Sequence, residues 1–467
     1  MKDLRTLHYP LSTDHAPDGW ELCSLSQFVE DMQTGFASGE HNSDGYGIPH
    51  LRPMNVSSDG KLDLSDGRFV DPSKNDLRLQ RGDVLFNNTN SPAWVGKTAL
   101  VDTDKELAFS NHMTRLRTCV DIDARFVAMQ LHFLCRSGYF QHQCKKHVNQ
   151  ASINRDFLSE LTPFCLPPSA EQQRIADKLD SLLSRVDSCR ERLDRVPSIL
   201  KRFRQSVLAA ATSGKLTENW REENRKNLGS WSTLALGDIL TDIQSGVNVK
   251  CEERPPYQNE KGLVKISAVT WGRYDDEESK TIPESHNIPE YTRIEIGDFL
   301  ISRANTLELV ASCVIVEETT RPVYLSDKVL RLVMADEMKL WILFCLRSPN
   351  GRVQIERLSS GNQLSMRNIS QKNLRCIEVP FPNEEERVEI VRRMTNLLSF
   401  ADELEKRFRS AKLHIDQLTP SLLAKAFRGE LVPQDPNDEP ASVLLERIRT
   451  AKSDTKAKTK KRKTKVG

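Results

Sequence analysis

The feature that most constrains this chain is an internal repeat, in which the second half restates the first at an offset of 211 to 215 residues. The segment GWELCSLSQFVEDMQTGF at 19–36 aligns with SWSTLALGDILTDIQSGV at 230–247. Likewise, RGDVLFNNTNSPAWVGKTALV at 81–101 aligns with IGDFLISRANTLELVASCVIV at 296–316. Because the offset drifts by only a few residues, the insertions that cause the drift belong in loops. The chain is therefore predicted to be two versions of one folding unit.

The first part of each version has the sequence pattern of a domain that contains both strands and helices. Short apolar runs such as DVLF, TALV and FLIS are separated by Gly, Asn and Asp. Runs of this length between turn-forming residues are typical of strands, whereas RFVAMQLHFLCRSG has the length of a helix. A chain of 467 residues is also long for one hydrophobic core. We therefore expect two similar α+β domains.

The second part of each version carries apolar residues in alternating steps of four and three, which is the 3.5-residue period of a coiled-coil seam. The predicted seam consists of Ile175, Leu179, Leu182, Val186, Cys189, Leu193, Val196, Leu200, Phe203 and Val207, and of Ile390, Met394, Leu397, Ala401, Leu404, Phe408, Ala411, Ile415, Leu418 and Leu422. Since one helix cannot bury such a stripe alone, the two helices are expected to pack antiparallel. The alternative is two separate core helices of an ordinary domain.

Both helices have similar predicted ends. Each begins with a pattern suited to a capping box, Ser169 to Gln172 and Asn383 to Glu386, in which side chains satisfy free amides of the first turn. Each ends near a glycine, Gly214 or Gly429, which suits the left-handed position after a helix. The shared ends indicate that the helices are the two arms of one spacer.

The order of these segments and several of their motifs resemble a known family. The chain runs in the order globular domain, LPPSAEQQRI helix, globular domain, second helix, and includes SGKLTENWRE at 213–222 and AFRGELVPQDPNDEPASVLLERIR at 426–449. This pattern is similar to the specificity (S) subunit of type I restriction-modification enzymes. The resemblance covers essentially the whole chain. The globular halves match only at framework positions such as Gly82-Asp83 and Gly297-Asp298.

The resemblance implies a function and partners. Two target-recognition domains would each read one half of a split, asymmetric sequence in double-stranded DNA. The paired helices would hold two modification subunits, which bind S-adenosylmethionine and methylate adenine, and two ATP-driven, Mg-dependent restriction subunits would join outside. This chain itself would be a non-catalytic binder without a cofactor.

The implied architecture is α+β, with two similar target-recognition domains separated by two long antiparallel coiled-coil helices in an internal pseudo-two-fold repeat. Its predicted segments are target-recognition domain 1 at 1–166, spacer helix 1 at 167–226, target-recognition domain 2 at 227–381, spacer helix 2 with a short C-terminal helix at 382–450, and a Lys-rich disordered tail at 451–467.

Charge is unevenly placed along the chain. The net charge is +2, but the residues from Lys452 to Gly467 include eight basic groups and one acid, which leaves about −5 for the remainder (2 − 7). A uniformly basic nucleic-acid coat is therefore excluded, and any DNA surface must be a local patch. The tail has almost nothing apolar to bury, which predicts disorder.

The cellular setting is predicted to be cytoplasmic. Ten cysteines are scattered without a CxxC pair, which favours reduced thiols over a disulfide or zinc framework. The first twenty residues lack the apolar core of a secretory signal. No run of about 18 apolar residues occurs, so no membrane span is expected.

The sequence contains no complete catalytic motif for DNA methylation, nucleotide binding or DNA cleavage. The loop NNTNSP at 87–92 lacks the second proline and the aromatic residue of the turn with which DNA amino-methyltransferases hold the target amine. A GxxxxGK[ST] phosphate loop is missing as well. The triplet Glu278-Ser279-Lys280 fits the end of a metal-dependent nuclease triad, but without an upstream Pro-Asp a solvated charge run is the simpler interpretation.

The sequence contains one incomplete set of possible metal ligands. His142, Cys144 and His147 could be ligands, but a structural zinc site needs four ligands at closed spacing and the sequence offers no partner pair. The chain is thus predicted to hold no metal. Two alternatives stay open: a self-sufficient DNA nuclease or methyltransferase with an unrecognised site, and a stand-alone bipartite DNA-binding regulator.

Residues suited to reading DNA occur in polar loops of both globular domains. Base edges are read by Arg, Lys, Asn and Gln, whereas phosphates are held by basic and hydroxyl groups. The candidates in the first domain are Asn87, Asn88, Asn90, Asn111, His112, Arg115, Lys145, Lys146, Asn149, Gln150, Asn154 and Arg155. The candidates in the second domain are Arg303, Asn305, Lys328, Arg331, Asn362, Gln363, Arg367 and Asn368.

Each of these loops could instead be a turn that favours Asn and Ser for its backbone geometry. The pairs Asn149-Gln150 and Asn362-Gln363, which the repeat aligns, could be a shared framework, because a residue present in both halves cannot easily specify different bases. Aromatic residues make up only 6% of the chain, so groove reading is favoured over stacking on single strands.

Overall fold

The computed structural model describes residue 10 and residues 17–39, 41–74, 76–148, 150–224, 231–257, 260–363 and 366–463. It divides into two compact units, the first made of Met1–Leu193 with Ser410–Gly467 and the second of Asp194–Arg409. Each unit combines one globular domain with parts of the long helices. The predicted segments follow chain order, whereas the units do not, because the same helices contribute to both cores.

The elements of the first globular domain and its helix are β1 (Glu21–Ser24), α1 (Leu25–Phe28), β2 (Val29–Thr34), β3 (Ile48–Leu51), β4 (Phe69–Val70), β5 (Val84–Asn87), β6 (Thr89–Asn90), β7 (Thr98–Leu100), β8 (Ala108–Phe109), β9 (Met113–Thr118), α2 (Ala124–Arg136), α3 (Tyr139–Gln143), β10 (Lys145–Lys146), β11 (Ala151–Ser152), β12 (Pro163–Leu166) and α4 (Ser169–Asp194). Short 3-10 turns lie at Pro53–Asn55 and Pro72–Lys74, and a π-helical turn lies at Phe157–Leu161.

The remaining elements are α5 (Val196–Thr212), α6 (Glu218–Asn224), β13 (Ser232–Ala235), α7 (Leu236–Ile239), β14 (Asp242–Ser245), β15 (Gly262–Val264), β16 (Ser279–Thr281), β17 (Phe299–Ser302), β18 (Ala304–Asn305), β19 (Cys313–Ile315), β20 (Val323–Tyr324), β21 (Val329–Val333), α8 (Asp336–Arg347), α9 (Pro349–Leu358), β22 (Ser360–Gln363), β23 (Met366–Asn368), α10 (Gln371–Arg375), β24 (Glu378–Phe381), α11 (Glu384–Phe427) and α12 (Ala441–Lys463). Further 3-10 turns lie at Lys215–Thr217, Ile266–Val269 and Glu290–Thr292.

The two globular domains share one sheet topology, which confirms the predicted repeat. The main sheet has the order β2-β9-β5-β7 in the first unit and β14-β21-β17-β19 in the second. A second sheet has the order β4-β3-β8 in one and β16-β15-β20 in the other, and the ladders β1-β12 and β13-β24 also correspond. The strands β5 and β17 are buried along their whole length, because each is central in its main sheet. This explains why both read as continuous apolar runs.

The long helices are antiparallel within each unit. In the first unit, Ile175 near the start of α4 shares a core with Phe427 at the end of α11. In the second unit, Val207 near the end of α5 shares a core with Ile390 near the start of α11. The arm formed by α4 and α5 is interrupted at Arg195, where a proline in the first turn of α5 removes a backbone donor. The predicted helix pair is therefore present.

The predicted seam holds at the helix ends but not at every position. Ile175, Leu179, Val186, Leu200, Ile390, Met394 and Ile415 are buried, whereas Leu182, Leu193, Phe203, Leu397, Leu404 and Phe408 are half-buried.

Two seam assignments are wrong: Leu418 is 43% exposed and Cys189 is exposed. Beyond Ile415 the buried residues are instead Leu423, Ala426 and Phe427, because this end of α11 enters the globular core instead of a two-helix seam.

The helix ends differ partly from the prediction. Ser169 does not cap α4: it lies in the first turn, and its Oγ donates to the backbone oxygen of Asp121 at 2.7 Å. Asn383 does cap α11, because its Oδ1 accepts the N–H of Glu386 at 2.9 Å. The glycines that follow α5 and α11 have φ of 77° and 73°, so both hold the left-handed conformation that was predicted.

The last helix extends further than the sequence predicted. α12 continues to Lys463, past residue 451 where disorder was expected, because Ala and Lys both favour helix. Its Lys452 Nζ donates to the backbone oxygens of Ser26 and Val29, each at 2.9 Å, so the helix is fastened to the end of α1. Residues 464–467 lie outside the described part of the chain.

None of the helices in the described ranges is both long enough and apolar enough to cross a membrane.

Candidate DNA interface

Several candidate residues of the first domain come together on a sheet of the order β10-β11-β6, which we call the first small sheet (145–146, 151–152 and 89–90). β10 and β11 form an antiparallel hairpin in which Lys145 lies opposite Ser152. The turn is closed by the His147 N–H, which donates to Gln150 O at 2.7 Å. Lys145 and Lys146 are exposed on the outer strand. The hairpin therefore presents two cations to solvent.

Candidates of the second domain come together in the same way on a sheet of the order β18-β23-β22, the second small sheet (304–305, 366–368 and 360–363). Arg367 lies opposite Asn305, and Asn368 lies opposite both Ala304 and Ser360. Each small sheet thus begins just beyond the central strand of its main sheet, β5 or β17.

The two small sheets are structurally equivalent. The Ile153 N–H donates to Asn88 O at 2.9 Å, and the Ile369 N–H donates to Arg303 O at 2.9 Å. These bonds anchor each hairpin at the same point of its main sheet, so the structure aligns Ile153 with Ile369, an offset of 216 residues (369 − 153). Residues at matching positions of the two sheets can therefore be compared directly.

This alignment corrects the sequence-based matching of the two Asn-Gln pairs. Gln150 lies on the return side of its hairpin, opposite His147, whereas Gln363 lies on the outgoing strand, opposite Met366. The pairs are therefore not equivalent, and their recurrence does not indicate a shared framework. The sequence could not show this, because a bulge within β22 shifts its register.

The candidates Asn87, Arg115 and Arg331 lie inside the fold instead of on a surface. Asn87 is fully buried, and its Nδ2 donates to a backbone oxygen at 2.9 Å. Arg115 is 8% exposed and forms an ion pair with Asp31. Arg331, at the matching position, forms an ion pair with Asp298 at 2.6 Å. These side chains stabilise the main sheets, and their sequence context alone did not reveal which way they point.

Three asparagines among the candidates hold turns. Asn90 Oδ1 accepts the N–H of Ser91 at 2.8 Å, and Asn305 Oδ1 accepts the N–H of Thr306 at the same distance. Asn154 Oδ1 accepts the backbone N–H three residues further on at 2.7 Å. These bonds fit the turn interpretation, in which Asn is selected for backbone geometry.

Asn88 and Arg367 are occupied by internal hydrogen bonds. Asn88 Nδ2 donates to Thr114 Oγ1 at 2.9 Å. The Arg367 guanidinium donates to Ser359 O at 2.7 Å and to Gly361 O at 2.8 Å. Both side chains therefore hold the small sheets to their surroundings.

The other candidates are accessible. Among the described residues, the exposed candidates are Asn111, His112, Lys145, Lys146, Gln150, Arg155, Lys328 and Asn368, together with the turn residue Asn154, and Arg303 is half-buried. Asn149 lies outside the described residues, and Asn362 and Gln363 are described only as part of β22. Sequence reasoning missed the exposed apolar residues of the hairpins, Val148 at 98% and Met366 at 70%. An apolar residue in an otherwise polar turn was the available signal.

Comparison with known proteins identifies the family. Residues 17–197 match the family described as type I restriction modification DNA specificity domain. The type I restriction enzyme EcoKI specificity subunit of Escherichia coli (strain K12) is 30% identical over 480 residues, which cover 97% of this chain and 100% of that protein. The StySPI specificity subunit of Salmonella potsdam is 29% identical, over 96% of this chain and 98% of that protein.

Solved structures show the same fold. A chain from a structural study of complex assembly and conformational transition of the type I R-M system has a TM-score of 0.63 at 17% identity, covering 89% of this chain and 99% of that one. The HsdS subunit from Thermoanaerobacter tengcongensis has a TM-score of 0.56 at 18% identity, over 89% and 98%. The resemblance found in the sequence is confirmed: the chain belongs to the specificity subunits of type I restriction enzymes, the non-catalytic DNA-recognition components of these restriction-modification systems.

Proposed function

We propose that this specificity subunit reads a split DNA sequence through two surfaces, one on each unit, built from the small sheets and the loops beside them. The observation that carries the proposal is a local charge bias. The chain has 65 acidic and 67 basic residues, yet the strand segments TN, KK, AS, AN, SGNQ and MRN contain no acid. Such a surface suits a polyanion, because the chain outside residues 452–467 has a net charge of about −5 (2 − 7) and would otherwise repel DNA.

The exposed side chains on these surfaces divide into two roles. Lys145 and Lys146 present ammonium groups on an outer strand, which is suited to holding phosphates. Gln150 and Asn368 are exposed amides, which can read base edges in the major groove. Recognition therefore combines a phosphate anchor with a few base contacts in each domain.

The two surfaces differ in chemistry although they share a framework. The backbone oxygen of His112 accepts from the Thr89 N–H in β6, and the backbone oxygen of Lys328 accepts from the Arg303 N–H just before β18. His112 and Lys328 therefore lie at corresponding places beside the two small sheets. An imidazole on one surface and an ammonium on the other present different donors to DNA. This difference supports two unlike half-sites and hence an asymmetric target.

The proposed setting is a cytoplasmic complex in which the helices hold two modification subunits and two restriction subunits join. S-adenosylmethionine, ATP and Mg would be bound by those partners and not by this chain. The family assignment supports this arrangement and favours neither a self-sufficient nuclease or methyltransferase nor a stand-alone regulator.

Domain exchange tests the two-surface proposal. Residues 20–160 would be replaced by the matching segment of a specificity subunit with a different target, and the product expressed with its modification subunit. Methylome sequencing should show one half-site changed and the other kept. If both half-sites change together, the proposal that each unit reads its own half is wrong.

A methyl-transfer assay tests the division of labour. The purified chain should transfer no methyl group from S-adenosylmethionine to DNA, and adenine methylation should begin when the modification subunit is added. Methylation by the purified chain alone would contradict the non-catalytic role.

A further inference from the structure

We infer that Arg303 is a base-reading residue of the second surface and that it recognises a guanine. The inference rests on the proposed function, because it names the specificity contact of the second surface. It starts from a guanidinium that the fold leaves without an internal partner.

Arg303 lies between β17 and β18, where the main sheet passes into the second small sheet. Its backbone is held on both sides, since its N–H donates to Lys328 O at 2.7 Å and its oxygen accepts from Ile369 at 2.9 Å. The Nε atom is buried, yet it has no hydrogen-bond partner. Within the described residues, no acidic group forms an ion pair with this side chain. The backbone of Arg303 is thus held in place, while its guanidinium has no hydrogen-bond acceptor among the described residues.

The matching position in the first unit shows what a satisfied side chain looks like. There Asn88 donates to Thr114 Oγ1 at 2.9 Å. The strand pairing places Thr114 opposite Phe86, and it places Leu330 opposite Ile301 at the equivalent point. Leu330 has no hydroxyl with which to hold a polar neighbour. The second unit therefore replaces an internally bonded Asn–Thr pair with a longer arginine and an apolar leucine.

An orphaned Nε also occurs at Arg52, Arg115 and Arg331, but the terminal groups of those arginines bind oxygens within the fold. Among the described residues, the terminal Nη groups of Arg303 have no such partner, so they are available to a ligand. Nearby, Lys328 and Asn368 are exposed and Arg367 is occupied by backbone oxygens. The planar guanidinium of Arg303 can present two parallel donors in a fixed geometry, whereas the ammonium of Lys328 is a point charge. The O6 and N7 acceptors of guanine match two such donors in the major groove, and no other base offers both acceptors together.

Base-resolution methylomes test the inference in cells that express the complete subunit with its modification partner. The wild-type chain should require a guanine at one position of the second half-site. Arg303→Gln should relax that position alone, with discrimination falling roughly ten- to a hundredfold, and should leave the first half-site unchanged. Arg293→Gln, an exposed arginine of the second globular domain that pairs with Glu290, is the matched control and should keep the whole motif.

Binding of the wild-type complex to modified DNA provides a second test, which does not depend on whether a variant folds. Each guanine of the second half-site would be replaced in turn by 7-deazaguanine, which lacks the N7 acceptor. Wild-type complex should lose binding at one position, and Arg303→Gln complex should no longer distinguish the two DNAs there. The inference is overturned if no 7-deazaguanine weakens wild-type binding, or if Arg303→Gln methylates an unchanged motif. The split-target proposal would survive either result, since it depends on the domain exchange.

Discussion

The indole Nε1 of Trp20 donates a hydrogen bond to Glu171 Oε2 at 3.0 Å, and this joins the start of the first globular domain to the first turn of α4. The second unit repeats the contact, because Trp231 Nε1 donates to Glu386 Oε2 at 3.0 Å. Each long helix is therefore fastened to its own globular domain by a tryptophan–glutamate pair. The repeat thus preserves the junction as well as the fold.

The Glu171 contact predicts a pH dependence of stability. Burial raises the pKa of the Glu171 carboxyl above its ordinary value of 4.5, although the Trp20 hydrogen bond opposes the shift. The folded state therefore favours the proton, so this group's stabilisation is complete below pH 4.5 and is lost as the pH rises through the raised pKa. Glu171→Gln keeps an acceptor for the indole and removes the titration. The stability of Glu171→Gln relative to wild type should rise between pH 4 and pH 8 in urea unfolding.

The control for this experiment is Glu191→Gln, which changes an exposed carboxyl of the same helix. The rise seen for Glu171→Gln should exceed any change that Glu191→Gln shows over the same range. A flat difference for Glu171→Gln would contradict the raised pKa.

The buried part of the helix interface predicts a large destabilisation. Met394→Lys would place an ammonium group at a fully buried position of α11. We expect a loss of about 3–5 kcal/mol in the free energy of unfolding, since a core contact is removed and a charge is buried. Leu418→Lys, at the exposed position of the same helix, should cost less than about 1 kcal/mol. Denaturant unfolding checks both, and equal losses would mean that the interface is misassigned.

Two aligned glycines predict matching steric defects. A Cβ atom at Gly35 would lie 2.1 Å from Phe109 O, and one at Gly246 would lie 1.7 Å from Leu325 O. Because these neighbours are backbone atoms, Gly35→Ala and Gly246→Ala should each cost about 1–3 kcal/mol or more. Gly272→Ala meets no atom within 4 Å and carries only the strain of its φ of +88°, about 1–2 kcal/mol. Thermal unfolding should rank Gly272→Ala as the mildest change.

Helix length predicts the length of the unread DNA between the half-sites. The first predicted seam spans 33 residues from Ile175 to Val207, roughly 48 Å of helix, whereas a DNA turn is about 34–36 Å. Inserting one heptad after Leu193 and another after Arg409 keeps the seam in phase and adds roughly 10 Å to each helix. The methylome should show both half-sites kept and the gap lengthened by about three base pairs.

An insertion in only one helix serves as the control, because it leaves seven residues of that helix without a facing partner and should lower stability. The segment after α5 is less suitable for insertion, since Thr217 is fully buried and its Oγ1 donates to Glu386 at 2.7 Å. Retained methylation with an unchanged gap after the double insertion would contradict the idea that the helices act as a ruler.

The sequence by itself determined the repeat, the two helices and the glycines that follow them. These features depend on residues that are close together in the chain. The 3.5-residue period that begins at Ile175 and Leu179 specifies a buried stripe wherever the partner helix lies, and Gly214 can adopt the left-handed backbone conformation in any setting. The family resemblance also rests on these helical segments, because their motifs match the family more specifically than the globular domains do.

Only the tertiary structure decided which polar side chains reach solvent. Arg115 and Arg303 look alike in the sequence, but one is paired with Asp31 inside a sheet and the other has no internal partner. The Asn-Gln pairs looked equivalent until strand pairing placed Gln150 and Gln363 on opposite strands of their hairpins. The physical reason is that side-chain direction in a strand depends on register, and register is set by contacts between residues distant in the chain.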